Sequence, residues 1–319
     1  MISYEKVLSE TVQDIKPSGI RKFFDLLEEM DDVISLTVGQ PDFVTPWHIR
    51  EAGIASLEKG KTYYTSNAGT MELRQEISAY LARRFGLSYE AKSQILVTVG
   101  GSEAIDVAVR ALVNPGDEVI LPVPSFVCYD PIIRLAGGKT VEVVLKEEDR
   151  FRLTPEALKK AITPKTKLLI LPFPGNPTGA IMEKSDLEAI ADVIRDTDIM
   201  VLTDEIYGEL TYGKKHVSFA SLPGMAERTV LTSGFSKCYA MTGWRLGYLA
   251  APEPVVRQMY KIHQFAIMCA PTVSQFAAIE AMRNGDEDIA EMRAEYNRRR
   301  TYLVERLRKM GMDCFEPEG

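Results

Sequence analysis

The chain has 319 residues, 45% of them hydrophobic and 26% charged, with 38 basic against 45 acidic side chains and a formal net charge of −7. A chain of this length can bury a sizeable core as one large or two ordinary domains, and its composition excludes a disordered chain, a collagen and a coiled-coil rod. The acidic balance argues against a nucleic-acid partner, which needs a Lys/Arg excess or a dense basic face.

The one tight basic run, Arg298–Arg300, lies in a mixed-charge helical stretch and reads as a solvated face. No stretch approaches 18 uninterrupted apolar residues, so no membrane span is expected. The N-terminal MISYEKVLSETVQDIK lacks a basic segment followed by an apolar one, and a cytoplasmic location is expected. Cys128, Cys238, Cys269 and Cys314 form no CxxC pair and do not stand at zinc-ligand spacing with His48, His216 and His263, so neither a disulfide framework nor a metal is expected.

In chain order, residues 18–30 (SGIRKFFDLLEEM) predict an amphipathic helix and residues 34–43 (ISLTVGQPDF) a strand-to-turn passage. From Gln94, QILVTVG reads as a buried strand and SEAIDVAVRALV as the helix after it. EVILPV, from Glu118, is a strand and SFVCYDPIIRLAG a helix. KTVEVVL, TPEALKKAI, KLLILPF and EKSDLEAIADVIRD continue the alternation, and IMVLTD, RTVLTSG and WRLGYLAAP read as further strands. Helices run from Pro254 to about Asn284, then a long charged helix over GDEDIAEMRAEYNRRRTYLVERLRKMG and a short strand at MDCF. Continuous apolar strands separated by helices predict an α/β fold, a mostly parallel sheet covered by helices on both faces. The two chain ends would pack as a smaller second domain. Sheets of this kind hold their ligands at the carboxyl ends of the strands.

Polar residues cluster in the sequence at those strand ends. Lys237 is the only charged residue between Arg228 and Arg245. A lysine in such apolar company is partly desolvated, which disfavours the ammonium. The neutral amine is a nucleophile toward carbonyls, although a lysine snorkelling at a strand end fits the same window. Arg245 opens WRLGYLAA among apolar neighbours, where an arginine calls for an anionic partner such as a phosphate. GGSEA, from Gly100, lies between strand and helix; its glycines permit close backbone approach, and Ser102 and the helix N-terminus suit an anion, or Ser102 is a plain N-cap. FPGNPTG ends a buried strand in a turn holding Asn176, and IMVLTDEIY runs into Asp204 with Tyr207 close behind. A carboxylate in that position is desolvated and calls for a cationic partner, yet Asn and Asp in turns also serve local geometry.

The ordered set GGSEA, FPGNPTG, DEIY, SGFSK and MTGWRLGY resembles the class I/II aminotransferases, pyridoxal 5′-phosphate enzymes of fold type I. Among these it looks closest to bacterial aspartate and aromatic aminotransferases and to the proteins called aminotransferase A. The resemblance runs from about Ile34 to the last residue. It implies an amino-group transfer between an L-amino acid and a 2-oxo acid, with 2-oxoglutarate as the habitual acceptor, by a ping-pong mechanism. It also implies a homodimer with shared active sites. By motif, Lys237 matches the lysine that carries the cofactor covalently, Asp204 the partner of its ring nitrogen, and Tyr207 and Asn176 the donors to its phenolic oxygen. Gly101, Ser102 and Arg245 match the phosphate cradle and Phe126 an aromatic stacked on the ring. Tyr64, in YTSNAG, matches the tyrosine that reaches the neighbour's phosphate. Gly39, in LTVGQPDF, and Asn176 match substrate contacts. The implied domains are an arm with part of a small domain over 1–45, the cofactor-binding domain over 46–284, and the start of the C-terminal small domain over 285–319.

Two departures stand out. Many relatives carry serine where this chain has Gly234; Ser236 or Ser233 would then serve the phosphate, and Ser236 is preferred. The chain stops at FEPEG, before the segment that in relatives brings the arginine gripping the substrate α-carboxylate, so a partly represented chain is expected. The rival readings are a C–S lyase or synthase on the same fold and a non-catalytic regulatory domain. A nicotinamide dehydrogenase is disfavoured, since no GxGxxG follows the first strand.

Overall fold

The computed structural model describes residues 2–17, 19 and 39–319. The helix expected at 18–30, save Gly19, and the passage expected at 34–43, save residues 39–43, lie outside the described residues. Seven strands form one sheet: β1 (Ile95–Thr98), β2 (Glu118–Val123), β3 (Lys139–Val144), β4 (Thr166–Leu171), β5 (Met200–Asp204), β6 (Thr229–Gly234) and β7 (Gly247–Ala250). Their spatial order is β1-β7-β6-β5-β4-β2-β3. The β2–β3, β2–β4, β4–β5 and β5–β6 pairs are parallel, and β7 runs antiparallel to both its neighbours. The expected mostly parallel α/β sheet is therefore what the chain forms.

Helices α1 (Trp47–Glu58), α2 (Met71–Phe85), α3 (Gly100–Leu112), α4 (Tyr129–Leu135), α5 (Pro155–Ala161), α6 (Lys184–Ile194), α7 (Glu253–Ala266), α8 (Thr272–Asn284) and α9 (Asp286–Lys309) account for most of the remainder, with two short helical turns, Tyr4–Val7 and Glu10–Asp14, before them. The strands read as unbroken apolar runs because both sheet faces are covered. Along β4, Leu168 and Ile170 pack with Ala104 and Ala108 of α3 and Met259 of α7. The alternate residues Leu169 and Leu171 pack with Leu187, Ile190 and Ile194 of α6 on the other face. Where β1 and β7 meet, Val97 and Tyr248 pack with Ile49 of α1, Leu73 of α2 and Ala277 of α8. Each such buried aliphatic side chain contributes about 1.5–3 kcal/mol, which makes this sheet a stiff platform for the loops at its edge.

Helix ends carry their own signals. Thr70 caps α2, its Oγ1 accepting from Leu73 N–H, and Gly86 ends that helix in the left-handed region. Helix α9 has Asp286, Glu287 and Asp288 in its first turn and Arg306, Arg308 and Lys309 in its last, the arrangement that complements a helix dipole. His48 of α1 joins the helices behind the sheet, its Nδ1 lying 2.8 Å from Glu280 and its Nε2 2.9 Å from Asp288.

The strand expected at MDCF does not form: residues 312–319 are irregular. A strand needs a ladder partner, and here Met312 N–H donates to the Leu307 carbonyl and the Cys314 carbonyl accepts from Arg308, while the last residues reach two loops. Glu318 and Gly319 donate to the Gly179 carbonyl, and Tyr212 donates to the Glu318 carbonyl. The four cysteines are free thiols. Among the described residues no helix is long and apolar enough to cross a membrane, and no group of three or more His, Cys, Asp or Glu side chains could hold a metal ion.

Candidate active site

The carboxyl ends of the parallel strands share one edge of the sheet. Because β7 runs the other way, its start lies at that same edge. Residues after β1, β4, β5 and β6 and those before β7 thus converge, and they line a cavity of about 550 Å³. Gly39, Gly101, Ser102, Phe126, Asn176, Asp204, Tyr207, Ser236, Lys237 and Arg245 all lie on its wall. Of the residues proposed from sequence, Tyr64 does not; it is 78% exposed on the outer surface. Ser233 is not in the wall either, its Oγ donating to the Glu205 carbonyl.

Lys237 is partly buried and, among the described residues, has no carboxylate partner. Its Nζ donates to the Gly39 carbonyl at 2.6 Å and lies 5.7 Å from the centre of the Tyr207 ring. Burial, then the charge of Arg245, lowers its pKa against the opposing pull of Asp204. Both causes favour the neutral, nucleophilic amine.

Asp204 ends β5 and is buried. Burial raises its pKa; the Tyr129 hydroxyl, donating to Oδ2 at 2.8 Å, and the Ile206 N–H, donating to Oδ1 at 3.2 Å, act against that rise. In place of the expected cationic partner the protein supplies two neutral donors, a phenol and a backbone N–H, and a carboxylate with two donors keeps lone pairs for a cationic group in the cavity. Tyr129 was not singled out from sequence, since a tyrosine in a helical run reads as core. Tyr207 is raised to about 12 by burial and then by the Asp204 charge, with the Asn176 side chain opposing. Phe126 stands edge-on to Tyr129, the ring centres 6.2 Å apart, and is 39% exposed.

The anion end is built by glycines. Gly100 opens α3 at φ +76, and a Cβ there would stand 2.7 Å from Nη2 of Arg245. A Cβ on Gly247 would stand 2.5 Å from the Gly100 carbonyl carbon and 2.7 Å from the Gly101 nitrogen. The two loops interlock because neither residue has a side chain. Arg245 itself is not buried within a strand, as its apolar neighbours suggested. It is exposed, at φ 50 after a short 3₁₀ turn, and Nη1 donates to the Thr242 carbonyl at 3.0 Å. Its guanidinium thus faces the first turn of α3, whose N–H groups have no intrahelical partners. Gly234 has a local cause too: a Cβ there would lie 3.0 Å from Gly247 Cα and the Leu246 carbonyl.

Comparisons with known proteins agree with this geometry. The family profile described as aminotransferase class I and II matches residues 31–319. YugH of Bacillus subtilis (strain 168), provisionally named an aminotransferase, is 54% identical over 319 residues, covering 100% of this chain and 82% of its own. Aromatic-amino-acid aminotransferase 2 of Thermococcus litoralis is 45% identical over 315 residues, covering 98% of this chain and 81% of its own. The structure of aspartate aminotransferase from Thermus thermophilus with maleate superposes with a TM-score of 0.93 at 38% identity, covering 98% of this chain and 83% of that one.

Proposed function

The chain belongs to the class I and II aminotransferases, which depend on pyridoxal 5′-phosphate, and from that premise we propose that it moves an amino group between an L-amino acid and a 2-oxo acid in two half-reactions at this cavity. The carrying observation is Lys237, a partly desolvated amine without a carboxylate partner among the described residues, in the same cavity as the buried carboxylate of Asp204.

The residues present fit the cofactor. Gly100 and Gly247, each without a side chain, let the Arg245 loop close on the first turn of α3, and Arg245 supplies its fixed positive charge there. Gly101, Ser102 and Ser236 would hold the phosphate with Arg245, Asp204 the ring nitrogen, and Tyr207 and Asn176 the phenolic oxygen. Phe126 would cover the ring. Bound there, the cofactor supplies an electron sink for negative charge at the substrate Cα.

The protein's own work is positioning and proton transfer. Lys237 is an amine with lowered proton affinity, suited to take the substrate Cα proton and return it. Asp204, desolvated and held on two sides by Tyr129 and Ile206, favours a protonated partner facing it. Gly39 and Asn176 would face the substrate, and 2-oxoglutarate would be the second-half acceptor. Tyr64 would act in the partner's cavity, making the active unit a homodimer with shared sites. The cofactor-binding unit would be residues 46–284, with 1–45 and 285–319 contributing to a smaller one.

Borohydride treatment of the cofactor-loaded protein, followed by peptide mapping, tests this. The label should fall on SGFSKCYAMTGWR, and a panel of amino donors should turn over with 2-oxoglutarate. Labelling of another lysine, or release of ammonia and pyruvate without an oxo-acid acceptor, would replace the reading with a different one.

A further inference from the structure

Glu103 lies in the first turn of α3, beside the N–H groups assigned above to the phosphate. An ionised carboxylate there would compete with an anionic ligand for the same positive helix end. Its surroundings remove that conflict. One Glu103 oxygen, Oε2, accepts the Val99 N–H, and the other, Oε1, lies 2.6 Å from Nδ1 of His263. The His263 side chain is 0% exposed and that of Glu103 10%. Nε2 of His263 lies 2.8 Å from the Asn67 carbonyl oxygen. A carbonyl only accepts, so Nε2 carries a hydrogen. A bare Nδ1 lone pair cannot sit at hydrogen-bond distance from a bare carboxylate oxygen. One proton therefore lies between them, and the pair has no net charge whichever atom holds it. Asn67 is fixed in turn, its Nδ2 donating to the Met268 carbonyl at 2.7 Å and its Oδ1 accepting from the Tyr260 hydroxyl at 3.3 Å.

We propose that Glu103 and His263 form a neutral, proton-sharing pair that sets the first turn of α3 to receive a phosphate monoester, both acting as positioning residues for the cofactor. Glu103 orients the entry of the helix by holding Val99 N–H, and His263 cancels the charge that would otherwise repel the ligand. Asn67 belongs to the segment that carries Tyr64, so the same histidine ties that segment to the cradle. The proposal rests on the reading of Gly101 and Ser102 as phosphate ligands.

The test titrates the full chain, freed of cofactor, with pyridoxal phosphate and with pyridoxal, which lacks the phosphate, following tryptophan fluorescence. His263→Asn keeps an amide donor toward Glu103 but strands the carboxylate charge. Its affinity for pyridoxal phosphate should fall about tenfold while that for pyridoxal stays put. Adding Glu103→Gln to it should restore most of the loss. Glu103→Gln alone keeps both hydrogen bonds in a neutral pair and should leave both affinities unchanged. Equal losses for the two ligands, an additive double variant, or phosphate-specific weakening in Glu103→Gln would overturn the proposal. Should His263→Asn fail to fold, Glu103→Gln and nitrogen NMR of the unaltered chain decide it. The NMR should find a hydrogen on Nε2 and a shared one at Nδ1, and a bare, unbonded Nδ1 would sink it. A parent protein without preference for the phosphorylated ligand would overturn the cradle itself, and this inference with it. A parent that prefers it while His263→Asn loses both ligands equally removes this inference alone.

Discussion

Lys237 and Lys214 occupy opposite electrostatic settings. Lys214 lies at the surface between Glu183, at 2.9 Å, and Glu318, at 3.0 Å. Arg152 reaches the same two carboxylates. Hydrogen bonds to Glu183 and then Glu318 raise the Lys214 pKa. Lys237 faces a carbonyl and an arginine, and its pKa is lowered. The first region neutralises its charges internally and asks nothing of a ligand. The second holds an amine, a guanidinium and a buried carboxylate around a cavity, with no salt bridge at any of the three among the described residues. On the proposed reading, unmet electrostatic need, rather than charge density, marks the working part of this molecule.

Replacing each partner in turn sharpens or breaks that contrast. The largest expected effect is Lys237→Ala: transamination should be lost while the protein stays folded and still binds cofactor through the cradle and Asp204. Measurable turnover in that variant would remove Lys237 from the mechanism. Next is Asp204→Ala, for which kcat should drop by orders of magnitude, each tenfold being about 1.4 kcal/mol of barrier. Asp204→Asn should be inactive too, yet its cofactor-free form should melt a few degrees higher at neutral pH. The sign follows from burial: a carboxyl whose folded pKa is raised destabilises the fold once pH has risen through that value, and the amide removes the cost. A calorimetric scan showing no gain at neutral pH, or the same gain in acid, would contradict this.

Tyr64→Phe ranks third. It should weaken cofactor retention about tenfold without changing the melting of the cofactor-free protein, and a protein that sediments as a monomer with full cofactor binding would refute it. The fourth effect lies at His48. Burial pulls its pKa down, but the hydrogen bonds and charges of Asp288 and Glu280 outweigh burial, and the net shift is upward. The stabilisation should be complete below the ordinary value of 6.5 and fade as pH rises through the higher folded value. The difference in melting temperature between the parent and His48→Asn, followed from about pH 5 to about pH 9, should shrink with rising pH. Smallest is Lys214→Ala, a surface substitution expected to cost no more than about 1 kcal/mol, weaken with salt and leave kcat untouched.

The layered sheet was legible because period-two burial on both faces leaves unbroken apolar runs such as KLLILPF, and polar residues directly after those runs marked the cavity wall. Strand order was not legible. The reversed β7 is what brings Arg245 beside Gly100, and nothing local to WRLGYLAA shows the direction of the strand. Contacts made across the sheet were hidden for the same reason. Tyr129 meets Asp204 and His263 meets Glu103 only after the chain has folded, so each tyrosine or histidine reads from its own neighbours as ordinary core. At Arg245 the apolar neighbours in sequence do not predict exposure, because the left-handed turn at that residue carries its side chain away from theirs.

The mutual fit of Gly247 with Gly100 and Gly101 bears on how this scaffold can be diversified. With 2.5 Å between an added Cβ and the opposing backbone, any side chain at 247 would pry the two loops apart. Libraries aimed at new amino donors should therefore recover no substitutions there, however hard the selection. Gln40 and Val127 line the same cavity, and Val127 is 53% exposed. Donor range and cofactor retention would then fall on separable sets of positions, the fit of the two loops being held by two hydrogen atoms, on Gly100 and Gly247, where side chains would be.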